Sequence, residues 1–123
     1  MMPTHATTFD RLRRFTGPSL ARIAFPLGGI GTGTVSLGGR GQLCDWEIFN
    51  RPAKGRDLPY TFFALWAKAV GKEPVARVLE RRVLPPYDCG FGLPTGAVSG
   101  LPRLAECEFV GGYPTAELEF KDD

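Results

Sequence analysis

The sequence is poor in the residues from which most metal and nucleophile sites are built. Its single histidine, His5, lies near the start of the chain. That leaves little for a Ser-His-Asp relay or for the usual zinc ligand sets. The three cysteines are Cys44, Cys89 and Cys107. Their odd number and the lack of C-x-x-C spacing argue against both a disulfide framework and a zinc site. No apolar run approaches the ~18 residues of a membrane span. The net charge of +2 is too small to point to a nucleic-acid partner. The basic excess of the first half lies mainly in Arg11, Arg13, Arg14 and Arg22, without interleaved aromatic residues, and reads as a solvated arm. Arg13-Arg14 is followed by Thr16-Gly17-Pro18-Ser19 rather than by an apolar stretch, so it does not read as an export signal. The expected compartment is the cytoplasm.

Glycine and proline, by contrast, are abundant at 16 and 11 of 123 residues, which predicts many turns and few long helices. The length suits one domain. Residues 1–20 lack periodicity and read as an N-terminal arm. From residue 21 the pattern is that of an all-β, antiparallel β-sandwich. Thr34-Val35-Ser36-Leu37 alternates with period two, Gly38-Gly39-Arg40-Gly41 turns the chain, and a second strand is expected over 42–49 with Trp46 and Ile48 inward. The aromatic run from Tyr60 to Val70 suits a buried strand or a short helix, with Thr61-Phe62-Phe63, Pro59 and Gly71 favouring the strand, and 75–84 reads as another strand with Arg77, Arg81 and Arg82 in solvent. Residues 85–103 are turn-rich and predict a long loop, a candidate to shape a site mouth. The clearest signal is the hairpin 104–110/116–120, with Ala105, Cys107, Phe109, Ala116, Leu118 and Phe120 on one face and glutamates on the other.

The glycine-rich stretch Gly28-Gly29-Ile30-Gly31-Thr32-Gly33 does not satisfy a dinucleotide fingerprint. Thr34 or Ser36 stands where the last glycine belongs, no Gly-Lys-Ser/Thr follows, and a strand follows where a phosphate site needs a helix N-terminus. Close backbone approach or bulges within a sheet are the expected reason for these glycines. No cofactor is expected. Three carboxylate pairs occur at i, i+2: Asp45/Glu47, Glu106/Glu108 and Glu117/Glu119. On a strand each pair points one way, whereas a glycosidic pair must flank the scissile bond. They therefore read as salt-bridged or wet faces, not catalysts. Trp46, Trp66, Tyr60 and Phe62 read as core aromatics in preference to a sugar platform. Cys44 and Cys107 read as small buried hydrophobes.

The block Ile23-Ala24-Phe25-Pro26-Leu27-Gly28-Gly29-Ile30-Gly31-Thr32-Gly33-Thr34-Val35-Ser36-Leu37-Gly38-Gly39-Arg40-Gly41, continuing through Asp45-Trp46-Glu47-Ile48-Phe49-Asn50-Arg51-Pro52-Ala53-Lys54-Gly55, resembles the N-terminal signature of glycoside hydrolase family 116. That family includes non-lysosomal glucosylceramidases (bile-acid β-glucosidases) and microbial β-glucosidases or β-xylosidases. Phe62-Phe63-Ala64-Leu65, Gly100-Leu101-Pro102-Arg103 and Gly112-Tyr113-Pro114 extend the likeness. The resemblance implies that residues 21–123 are the first part of an N-terminal β-sandwich that packs on a C-terminal catalytic (α/α)₆ barrel. The barrel and the rest of the sandwich are expected to lie outside these residues. It also implies retaining hydrolysis by a Glu nucleophile and an Asp acid/base, both in the barrel, so no residue here inherits a catalytic role. Arg40, Asp45, Trp46, Glu47, Asn50 and Arg51 are instead carried over as structural or domain-interface candidates. The implied partners are the catalytic domain and, through it, a β-glycoside. A stand-alone carbohydrate- or protein-binding β-module is the alternative.

Overall fold

The computed structural model describes residues 12–49, 51–84 and 100–122. Their elements, in order, are β1 (Arg13–Phe15), a 3₁₀ helix (Gly17–Arg22), β2 (Ala24–Leu27), β3 (Thr34–Gly38), β4 (Leu43–Glu47), β5 (Ala64–Ala67), β6 (Val75–Arg81), β7 (Arg103–Leu104), β8 (Glu106–Gly112) and β9 (Thr115–Lys121). They form three three-stranded sheets, ordered β1-β8-β9, β2-β3-β4 and β5-β6-β7. All pairings are antiparallel except β6 with β7. The fold is all-β and sandwich-like, as the period-two patterns predict.

The hairpin β8/β9 follows the sequence most closely. Its register sets Cys107 against Phe120, Phe109 against Leu118 and Gly111 against Ala116, all on the inward face. The outward face sets Glu108 directly opposite Glu119, a like-charge pairing that would be unfavourable by itself. Arg14, brought alongside by β1, relieves it by bridging Glu108 at 3.2 Å and Glu119 at 3.3 Å.

The inward face meets the sheet β2-β3-β4. Phe109 is 1% exposed, and its ring lies 6.4 Å from Phe15 and 5.9 Å from Phe25, both tilted. Leu20 of the 3₁₀ helix and Cys107 complete the buried cluster, with Leu37, Leu118 and Phe120 packed on it. Burial of a phenylalanine of this kind stabilises by roughly 1.5–3 kcal/mol in transfer terms alone. The sheets are also drawn together through backbone. The Cys107 thiol lies 3.6 Å from the Gly39 carbonyl oxygen, and a side chain at Gly39 would collide with Leu20.

Three expectations are corrected. The arm expected over residues 1–20 is part of the fold from Arg13 onward, because β1 completes a sheet and Leu20 enters the core. The aromatic run 60–70 yields only the short strand β5, and it is not buried. All four of its residues are exposed, Trp66 by 66%, and Tyr60 and Phe63 are exposed as well. The reason is topological: among the described residues β5 is an edge strand with β6 as its one neighbour, and its residues stay exposed on both faces. Finally, Arg77 and Arg81 are half-buried rather than solvated, Arg77 through an ion pair to Asp122 at 2.7 Å. Of the expected loop 85–103, residues 85–99 lie outside the described residues, as does Cys89.

Candidate functional site

Strand β4 departs from simple alternation. Thr34 pairs with Glu47 but Ser36 pairs with Cys44, so two steps along β3 span three along β4. The extra residue is a β-bulge. Asp45 sits in it with φ 51°, a left-handed conformation that aspartate tolerates better than most residues. The bulge reverses the facing predicted beyond it. Asp45, expected on the wet face, is buried, while Ile48, expected inward, is 36% exposed. Trp46 is half-buried, and its indole N–H is buried without a partner among the described residues.

Once buried, Asp45 is held by a side-chain and a main-chain bond. Its Oδ1 accepts the Gly55 N–H at 2.7 Å, and its own N–H donates to the Arg56 carbonyl at 3.0 Å. These bonds fasten the polar loop 51–58 against β4. Glu47 adds a second tie, through Lys54 Nζ at 2.9 Å and the Ala53 N–H at 3.4 Å. The Lys54 ammonium holds the Glu47 carboxyl below its ordinary range and is itself raised by the pairing. Asp57, at the far end of the same loop, is pushed up by burial, with Arg40 opposing that rise.

The strongest charge cluster was not evident from local sequence. Glu80 on β6 is buried, and its Oε2 accepts from Arg40 Nη1 and, at 2.9 Å, from Arg103 Nε. All three side chains are largely shielded, with Glu80 at 6% and Arg103 at 7% exposed. Arg40 leaves the turn after β3, Glu80 lies near the end of β6, and Arg103 opens β7. The triad therefore ties the sheet β2-β3-β4 to the sheet β5-β6-β7. A main-chain bond from the Arg81 N–H to the Arg40 carbonyl, 2.8 Å, runs beside it. The signal that could have revealed Glu80 is its phase: it shares strand parity with the buried Val78. Asp57, Tyr60 and Phe62 line a shallow hollow over this triad.

The glycine loop between β2 and β3 makes a second hollow. Gly29, Gly31, Gly33 and Thr34 form one wall, and Glu47, Arg51 and Pro52 form the other, around about 420 Å³. Gly33 adopts φ 84°, and a Cβ there would lie 2.9 Å from the Glu47 carbonyl oxygen. The close backbone approach expected of these glycines is found at Gly33 and at Gly28, whereas a Cβ at Gly31 would meet open space. The Thr32 hydroxyl accepts the Gly29 N–H at 2.9 Å and contacts the Gly29 carbonyl at 2.8 Å, pinning the loop to itself.

Of the six carried-over residues, the structure thus puts Arg40 in the buried triad and Asp45, Trp46 and Glu47 on the bulged strand. Arg51 stands at the glycine-loop hollow, and Asn50 lies outside the described residues. Cys44 is half-buried and Cys107 buried, both as free thiols. Burial pushes the Cys44 thiol up to about 12 and that of Cys107 up to about 11. Such thiols are poor nucleophiles. Among the described residues no group of His, Cys, Asp and Glu is arranged to hold a metal ion, and no helix is long and apolar enough to cross a membrane.

No curated protein matches the chain. A family model described as "beta-glucosidase 2, glycosyl-hydrolase family 116 N-term" matches residues 24–123. That span takes in both hollows, the bulged strand, the triad and the β8/β9 hairpin, and on it the chain belongs to the glycosyl-hydrolase family 116 N-terminal family.

Proposed function

We propose that this chain is the N-terminal β portion of a retaining β-glycosidase of the β-glucosidase or glucosylceramidase kind. It acts by supporting a catalytic (α/α)₆ barrel and does no chemistry of its own. The observation that carries this reading is the family match over residues 24–123, which is to the N-terminal part of a glycosidase family. The use of the carboxylates agrees with it. Asp45 and Glu47 hold the loop 51–58, and Glu80 is paired with two arginines. Glu108 and Glu119 lie on the outer face with Arg14 between them. A retaining site needs two carboxyl groups ~5–5.5 Å apart on opposite sides of a bound sugar, one free to attack and one free to shuttle a proton. Carboxylates committed to main-chain amides and arginines are unsuited to either task.

The role is mechanical. A rigid sandwich holds the barrel's catalytic groups in place, and small displacements of such groups lower rates severely. A cytoplasmic location is part of the proposal and is supported by the free thiols of Cys44 and Cys107. The test compares a polypeptide in which this chain precedes a family 116 catalytic part with the same polypeptide lacking residues 1–123. The proposal expects the shortened form to lose aryl β-glucoside hydrolysis or to lose it at much lower temperature. Equal activity and equal thermal midpoint would sink it.

A further inference from the structure

We draw no further inference here: the strongest candidate, the apolar surface patch of Phe63, Leu65 and Trp66 along the edge strand β5, carries nothing because nothing in the structure shows what covers it.

Discussion

Replacing Glu80 by glutamine tests the account of what joins the sheets. The side chain is 6% exposed and its Oε2 serves both Arg40 and Arg103. Glutamine keeps the volume and one acceptor oxygen, so Glu80→Gln removes mainly the negative charge. Two guanidinium groups, 18% and 7% exposed, are then left side by side without it. Breaking a buried ion pair costs about 3–5 kcal/mol, and here the change removes the negative charge that Arg40 and Arg103 share. Natural domains are stable by only about 5–15 kcal/mol, so the change removes a large fraction of the total. In urea, with a slope of about 2 kcal/mol/M, the midpoint should fall by roughly 2 M. The assay is a urea titration of the purified chain followed by the fluorescence of Trp46 and Trp66. Glu117→Gln, on the exposed face of β9, is the control and should stay within about 0.5 kcal/mol of the parent. Strong salt should not restore Glu80→Gln, because shielded pairs are screened weakly. If Glu80→Gln loses no more stability than Glu117→Gln, the triad does not hold the sheets together and the reasoning fails.

Other outcomes follow from the same structure. Phe109→Ala empties the centre of the core and should cost about 3–5 kcal/mol, read from the same titration. Gly41→Ala should destabilise by more than about 1 kcal/mol, because the residue has φ 101° and a Cβ there would lie 2.6 Å from the Leu79 carbonyl oxygen. Cys44 and Cys107 should resist alkylation in the folded chain at pH 8 and react on unfolding, as mass spectrometry would record. Their folded pKa values lie above the ordinary thiol value, so the folded state keeps protons that the unfolded state releases. Stability is thus fully present below about pH 9 and should fall as pH rises from there toward about 11 and 12, a decline that Cys44→Ala should lessen.

What could be seen in the sequence was whatever depended on near neighbours. The β8/β9 hairpin was legible because every second residue is apolar and the turn is marked by glycine and proline. The bulge at Asp45 was not, since a single extra residue leaves composition unchanged yet reverses the facing of Ile48. Strand β1 was hidden because two of its three residues are arginines, held there by pairing with β8 rather than by their own preference. The aromatic run around β5 was read as core because large apolar residues usually are; its exposure follows from sheet order, which pattern does not encode. The Arg40–Glu80–Arg103 triad joins residues 40 and 23 positions apart, a juxtaposition that only the fold creates. Asp45 and Glu47 stand out in the sequence as a carboxylate pair at i, i+2, but their separate attachments to the loop 51–58 required the backbone.

The central claim, that this chain supports a glycosidase and supplies none of its chemistry, is tested most directly by the steady-state kinetics of Asp45→Asn and Glu47→Gln. The protein to use is the longer polypeptide in which the chain precedes its catalytic part. Both changes loosen the loop 51–58, so the thermal midpoint should fall, while kcat for an aryl β-glucoside at a permissive temperature stays within about twofold of the parent. Loss of an acid–base or nucleophilic carboxylate lowers the rate by ~10²–10⁴-fold or more. A fall of that size in kcat, with the thermal midpoint unchanged, would place catalysis within this chain and contradict the account.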